Sequence, residues 1–501
     1  MKRAPEFRAT GTGDHRGLTR RTLLERAGWI LAASILPAMR LRAVDSVSPI
    51  MTRLSSYMGD AGDRPLPADV VERTKQHILD TLAAMISGSA LGPGRADLRF
   101  VQSHRGDPVA TVASSEIVCD SIQAAFTNAM LAHSDETDDS HAPSLSHPGC
   151  VVVPAAWAVG EQFHADGNRL VRAVALGYDI GPRVIMTLGG PSFETNTHRS
   201  THSIAGMFGA SAAAGCLANL NARQMRWLLD YAAQQAAGVA AWQRDTDHIE
   251  KAFVFAAASA RSGVTAALLV QSGWTGVDDV MSGPDNFLIS CVPNADPAGL
   301  VEKLGERYEI SRTNFKKWTV GSPIQAPLDA TEIIMKRHPF KTEQLKSVVV
   351  RVASHEASIV DNRDIPDICL QHMIAVMLID GTVTFASAHD KGRMSDPSVL
   401  AVRVKVQLVS DEALDRRLPR REAIVEITLQ DGMRLTEHVE AVRGTAENPM
   451  THEEVVEKCR NLITPSLGKE QCSSLIEKVM NLEAIKNIVE LRPLLQRSEA
   501  A

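Results

Sequence analysis

The apolar pattern of this chain changes period twice. From residue 66 to about 310, apolar side chains recur at helical spacing. Val71, Ile78, Leu82 and Ile86 share one face of a first segment that ends near Gly88. Further segments of this kind cover 122–132, 151–161, 169–188, 224–241 and 252–271. The period then shortens. Residues 345–353 are rich in valine, Val402, Val404, Val406 and Leu408 alternate with polar residues, and 424–429 does so in part, which reads as strand. Helical spacing returns over 451–462, with Thr451 placed as an N-cap and Glu453 and Glu454 in the first turn. The fold class predicted is mainly α with an α+β second domain. A helical domain over 46–311 and 445–501 is interrupted by a smaller α+β domain over 312–444, and a site between the two is expected.

At 501 residues the chain exceeds one comfortable core, and hydrophobic content of 44% with 22% charge is that of a soluble globular protein. Aromatics are only 4%, and alanine-rich runs such as residues 205–218 (AGMFGASAAAGCLA) replace them, letting helices approach closely. A net charge of -6 and the lack of a basic run argue against a nucleic-acid partner. The seven cysteines show no C-x-x-C spacing, so they read as small buried hydrophobes and not as zinc or iron–sulfur ligands. Arg20 and Arg21 precede an apolar run over 27–38 that is shorter than the ~20 residues a bilayer span needs. Residues 1–45 therefore read as a Tat-type signal, with a periplasmic or otherwise exported location. Arg40, Arg42 and the lack of a clean small-x-small cleavage site keep a cytoplasmic protein with an amphipathic N-terminal helix as the alternative.

Chemistry concentrates in residues 133–149, HSDETDDSHAPSLSHPG, which hold three histidines and four carboxylates. Imidazoles and carboxylates crowded together shift one another's pKa values and can poise a proton carrier near neutral pH. A solvated acidic turn is the plain alternative. A metal site from Asp138, Asp139, His141 and His147 is conceivable by ligand type.

Four local patterns carry a family resemblance: Asp138-Asp139-Ser140-His141 followed by His147-Pro148-Gly149, SIAGMFGA over 203–210, His248-Ile249-Glu250-Lys251 with Ala260-Arg261-Ser262-Gly263 after it, and Asn314-Phe315-Lys316-Lys317-Trp318 with Asp380-Gly381 beyond. Over about residues 50–470 the chain resembles the MmgE/PrpD family, which includes 2-methylcitrate dehydratases and cis-aconitate decarboxylases. The resemblance implies a large all-α domain made from both chain ends, a smaller α+β lid, a homodimer, and catalysis with no cofactor and no metal. It implies His147, Lys251 and Glu136 as catalytic residues, and Asp138, Asp139, Ser140, His141 and Lys316 as substrate-binding ones; His202 joins the catalytic set and His372 the substrate-binding set as histidines outside the family pattern. The residue types suit that chemistry. Removing water or carbon dioxide from a polycarboxylate develops negative charge that ammonium groups stabilise, and an imidazole moves the proton.

Four positions depart from the family pattern. Ser200 and Gly321 stand where members carry histidine, or histidine or cysteine; His372 stands for a tyrosine and Glu136 for an aspartate. His202 and His372 are the groups able to restore proton transfer. The leading reading is a lyase acting on a small di- or tricarboxylate, a dehydratase ahead of a decarboxylase. An epimerase or isomerase that lifts a proton α to a carboxylate uses the same groups. A non-catalytic periplasmic carboxylate binder is the reading from another class.

Overall fold

Small residues set the helix spacing in the first domain. The computed structural model describes residues 47–497; the export signal read over 1–45 lies outside the described residues. Helices α1 (Ala68–Gly88), α2 (Ser121–Ala132), α3 (Gly149–Gln162), α4 (Gly167–Thr187) and α5 (Thr201–Leu217) follow one another. A helical turn at Ile249–Ala252 then runs through a π-helical turn at Phe253–Ala257 into α6 (Ala258–Gln271). Helix α5 lies at the centre, with α3, α4 and α6 against it. Its partner α4 approaches so closely that a Cβ on Gly181 would stand 2.3 Å from the Ala205 carbonyl oxygen. Backbone contact of that kind needs glycine. The continuous segment Ile249–Gln271 is long and apolar enough to cross a membrane, but most of it is buried in this core.

Helix α9 (His452–Leu467) returns to pack on α1, so both ends of the chain share one hydrophobic core. Thr451 caps α9 in a reciprocal capping box with Glu454. A second, separate core draws its side chains from between Trp318 and Val442. There, α7 (Ser322–Arg337) and α8 (Leu370–Asp380) accompany β1 (Leu345–Val352), β2 (Val406–Ser410), β3 (Ala423–Leu429) and β4 (Arg434–Val439). The sheet order is β2–β1–β3–β4, with β1 and β2 parallel and the other pairs antiparallel. Val348, Val350 and Val352 alternate into the core, with α7 packed on β3 and β4. The molecule is therefore mainly α with an α+β part.

Three local expectations change. Val402 and Val404 are not strand residues, because Asp396 caps a short helix, Pro397–Arg403, with proline in its first turn. That helix turns Val399 and Val402 inward and leaves Val404 80% exposed. The helix predicted over 224–241 is Ala222–Gln235, and Gly238 at φ +122° belongs to the following loop. Strand β4 was not anticipated; it follows a turn with Gly432 at φ +91°.

Candidate active site

The loop from His133 to Gly149 is folded inward between the two cores, and its four carboxylates occupy four different environments. Glu136 is buried and faces two ammonium groups. Lys251 pairs with Oε1, and Lys316 Nζ lies 3.2 Å from Oε2. Burial alone would raise its carboxyl, but the two lysines outweigh burial and hold it well below the usual carboxylate range. Lys316 is buried as well. Burial would lower its pKa, but Glu136 and Asp138, the latter 3.7 Å away, raise it instead.

Asp138 sits between two imidazoles. His133 Nδ1 donates to its Oδ1 at 3.0 Å, and His147 Nδ1 stands 3.3 Å from Oδ2. Burial would raise Asp138 too, but His133, His147 and Lys316 keep it ionised. His147 lies just before α3 and is pushed below the ordinary imidazole value by burial, an effect that Asp138 opposes. Burial thus favours the neutral imidazole, with Nδ1 toward Asp138. That leaves Nε2 to accept a proton, the arrangement a general base needs.

His202, in the first turn of α5, stacks on Phe255 with ring centroids 3.6 Å apart and meets Trp242 edge-on. Its centroid is 5.2 Å from that of His147. Burial, helped by the neighbouring imidazoles and Lys251, drives its pKa well down. The π-helical turn supplies Phe255, one turn after Lys251, and places its ring 5.2 Å from the lysine Nζ. Such turns recur at functional sites because they re-aim side chains within a helix. Glu136, Ser140, His147, His202, Trp242 and Lys251 line a common cavity of about 70 Å³, closed on the lid side by Gly321, Ser322 and Arg421.

The predicted catalytic set His147, Lys251, Glu136 and His202 is thus brought together around one cavity, with Ser140 on its wall and Lys316 reaching Glu136 from behind. Other predicted residues are placed differently. Asp138 is fully buried behind His147, where it orients the imidazole and does not face the cavity. Asp139 points away from it, taking Tyr178 Oη at 2.6 Å and the Gly149 amide at 3.0 Å, with His77 Nδ1 at 2.9 Å. This fixes the start of α3. His141 touches the cavity wall, but Ser144 Oγ at 2.8 Å and Glu309 Oε2 at 3.3 Å occupy its ring nitrogens. His372 is not at the cavity; α8 is buried on nearly every side, and this ring lies inside the second core with burial lowering its pKa to about 4.

Trp242, Phe255, His248 and Arg421 were not singled out from sequence. Only His248, which is part of the lysine motif, carried a signal there. His389 is a further addition. Its Nε2 is 3.0 Å from Asp135 and 3.9 Å from Asp367, and its Nδ1 faces the Phe385 carbonyl at 2.7 Å. Burial opposes its charge, but these partners raise its pKa to about 9, so the imidazolium fastens the second domain to the loop that carries Glu136.

Two sets of groups have the spacing of metal ligands: His133, Asp138 and His147, and His133, Glu136 and His248, each within 4.8 Å. In both, a lysine ammonium already faces the carboxylate. A divalent cation there would meet that positive charge at close range, so the donor set suits protons and anions better than a metal.

Residues 52–299 match the MmgE/PrpD N-terminal domain, and residues 318–483 match the MmgE/PrpD C-terminal domain. The chain belongs to the MmgE/PrpD family. Among its relatives, a cis-aconitate decarboxylase of Aspergillus terreus (strain NIH 2624 / FGSC A1156) is 23% identical over 477 residues, covering 89% of this chain and 96% of the relative. The cis-aconitate decarboxylase of Homo sapiens is 26% identical over 451 residues, covering 85% and 90%, and that of Mus musculus is 24% identical over 450 residues, covering 85% and 89%. The chain is an enzyme of the lyase type.

Proposed function

We propose that this lyase decarboxylates a small, unsaturated di- or tricarboxylate of the cis-aconitate kind, using its own side chains for the proton transfer. The observation that carries the reading is His147, with Asp138 Oδ2 3.3 Å from its Nδ1, on a cavity where Lys251 pairs with Glu136. A polyanionic substrate entering this cavity favours protonation of a nearby imidazole, because an opposite charge stabilises the charged form. His147 thus takes up one proton with the substrate.

Loss of carbon dioxide leaves the electron pair of the broken C–C bond on carbon, delocalised toward an adjoining carboxylate. Lys251 stabilises the charge that develops there, and Lys316 acts from behind through Glu136. The His147 imidazolium then delivers its proton to carbon, so the turnover consumes one proton from solvent and releases neutral carbon dioxide. Water loss would need, besides these groups, an acid at the departing hydroxyl. Named relatives that are decarboxylases support the simpler demand. Homodimer formation and export remain part of the proposal, the latter resting on Arg20 and Arg21. The test is turnover of cis-aconitate by the purified chain, followed by product analysis. Substrate consumed without carbon dioxide release would point to a dehydratase or an epimerase, and substrate bound but unchanged would point to a binding protein.

A further inference from the structure

The cavity around His147 and a larger one of about 200 Å³ share the wall formed by Ser140, Ala142, Ser322 and Arg421. In the inner cavity Glu136 already pairs with Lys251, so a substrate with several carboxylates needs cations from elsewhere. The outer cavity is lined by Arg312, Lys316, Arg420 and Arg421 against Glu440 and Glu447, so cations are in excess there, although Glu309 engages Arg312 at 2.7 Å.

Arg421 is the arginine on the shared wall. Its Nη1 donates at 2.9 Å to Oε1 of Glu356, a carboxylate only 2% exposed. A buried acid that holds one edge of a guanidinium fixes its plane and leaves the remaining donors for a ligand.

We propose that Arg421 is a specificity-determining residue that receives the distal carboxylate of an elongated polycarboxylate, whose reacting end lies against His147 and Lys251. The inference rests on the reading of the inner cavity as a carboxylate site and extends it to the length of the substrate. It assigns Glu356 the role of a positioning residue.

The experiment is calorimetric titration of the purified full chain with linear α,ω-dicarboxylates from malonate to suberate. Wild-type protein is expected to bind tighter as the chain lengthens to an optimum. Arg421→Gln combined with Glu356→Gln removes the pair together and leaves no uncompensated buried charge. It should weaken the optimal probe about tenfold or more, the effect of losing a charged hydrogen bond, and change malonate less than about twofold. Arg421→Lys, which keeps a cation beside Glu356 but loses the planar fork, should show the same selective loss to a smaller degree. Equal weakening of short and long probes, or no weakening of either, overturns the assignment of Arg421 while leaving the carboxylate reading in place. If no dicarboxylate binds the wild-type chain at all, both readings fall.

Discussion

Replacing Glu136 by glutamine removes one buried negative charge and leaves two lysines facing an uncharged amide. The two losses are unequal. Lys316 keeps Asp138 at 3.7 Å, whereas Glu136 is the carboxylate that pairs with the Lys251 ammonium. Breaking a buried ion pair by deleting one partner typically costs about 3–5 kcal/mol, and the retained Lys316–Asp138 contact places this case near ~3 kcal/mol. An unfolding entropy of about 2.1 cal/mol/K per residue makes a unit of roughly 450 residues respond by about 1 °C per kcal/mol, so the melting temperature should fall about 3 °C. A dicarboxylate returns negative charge to the lysines. Malonate should therefore stabilise Glu136→Gln more than wild type, and at a hundredfold excess over its Kd it should offset up to ~2.7 kcal/mol. Differential scanning calorimetry with and without malonate reads both effects. An unchanged melting temperature for the variant, or equal malonate stabilisation of the two proteins, refutes the argument that Glu136 balances the lysines.

Other outcomes follow from the same geometry. Asp138→Asn removes the carboxylate that opposes burial at His147, so kcat should drop and the alkaline limb of kcat/KM, set by loss of the His147 proton, should move to lower pH, with the fold retained by circular dichroism. His389, raised to about 9 in the folded chain against ~6.5 unfolded, contributes stability that is complete below about pH 6.5 and disappears as pH rises through 9. Melts of wild type from pH 6 to 10 should show this slope, His389→Gln should lack it, and equal slopes would remove the fastening role. Gly181→Ala drives a methyl group against the Ala205 carbonyl and should destabilise the first core by about 1–3 kcal/mol in urea unfolding; an unaffected midpoint would mean that the α4–α5 contact is looser than described.

Much of the architecture was legible because it is written in local period. Amphipathic spacing marks α1, alternating valines mark β1, and the small residues of α5 announce helices that touch through their backbones. Where the local reading went wrong, a stronger local signal was present. Asp396-Pro397 starts a helix in spite of the alternation of Val402 and Val404. The site was legible only as residues near in sequence or tied to a motif. Glu136, His147, His202, Lys251 and Lys316 come from four separate segments, and their meeting depends on packing that no single stretch encodes. Within 133–149, the sequence shows four carboxylates but not their directions. Asp139 faces Tyr178 and Asp138 lies behind His147 because the loop turns between them. His372 misled for a related reason, since an α-helix buried on nearly every side carries no apolar periodicity to tell which face meets the cavity. Arg421 and Trp242 had no signal in sequence; they matter only once the second domain is folded against the first.

The central claim is that this chain removes carbon dioxide from an unsaturated polycarboxylate and returns a proton to carbon through His147. Incubating the purified protein with cis-aconitate in heavy water, and following carbon dioxide release together with deuterium at carbon by NMR, tests it most directly. The account predicts one carbon-bound deuterium per carbon dioxide released, with His147→Ala slower by about 10²- to 10⁴-fold. Turnover by His147→Ala at the wild-type rate, or substrate consumed with no carbon dioxide released, would contradict it.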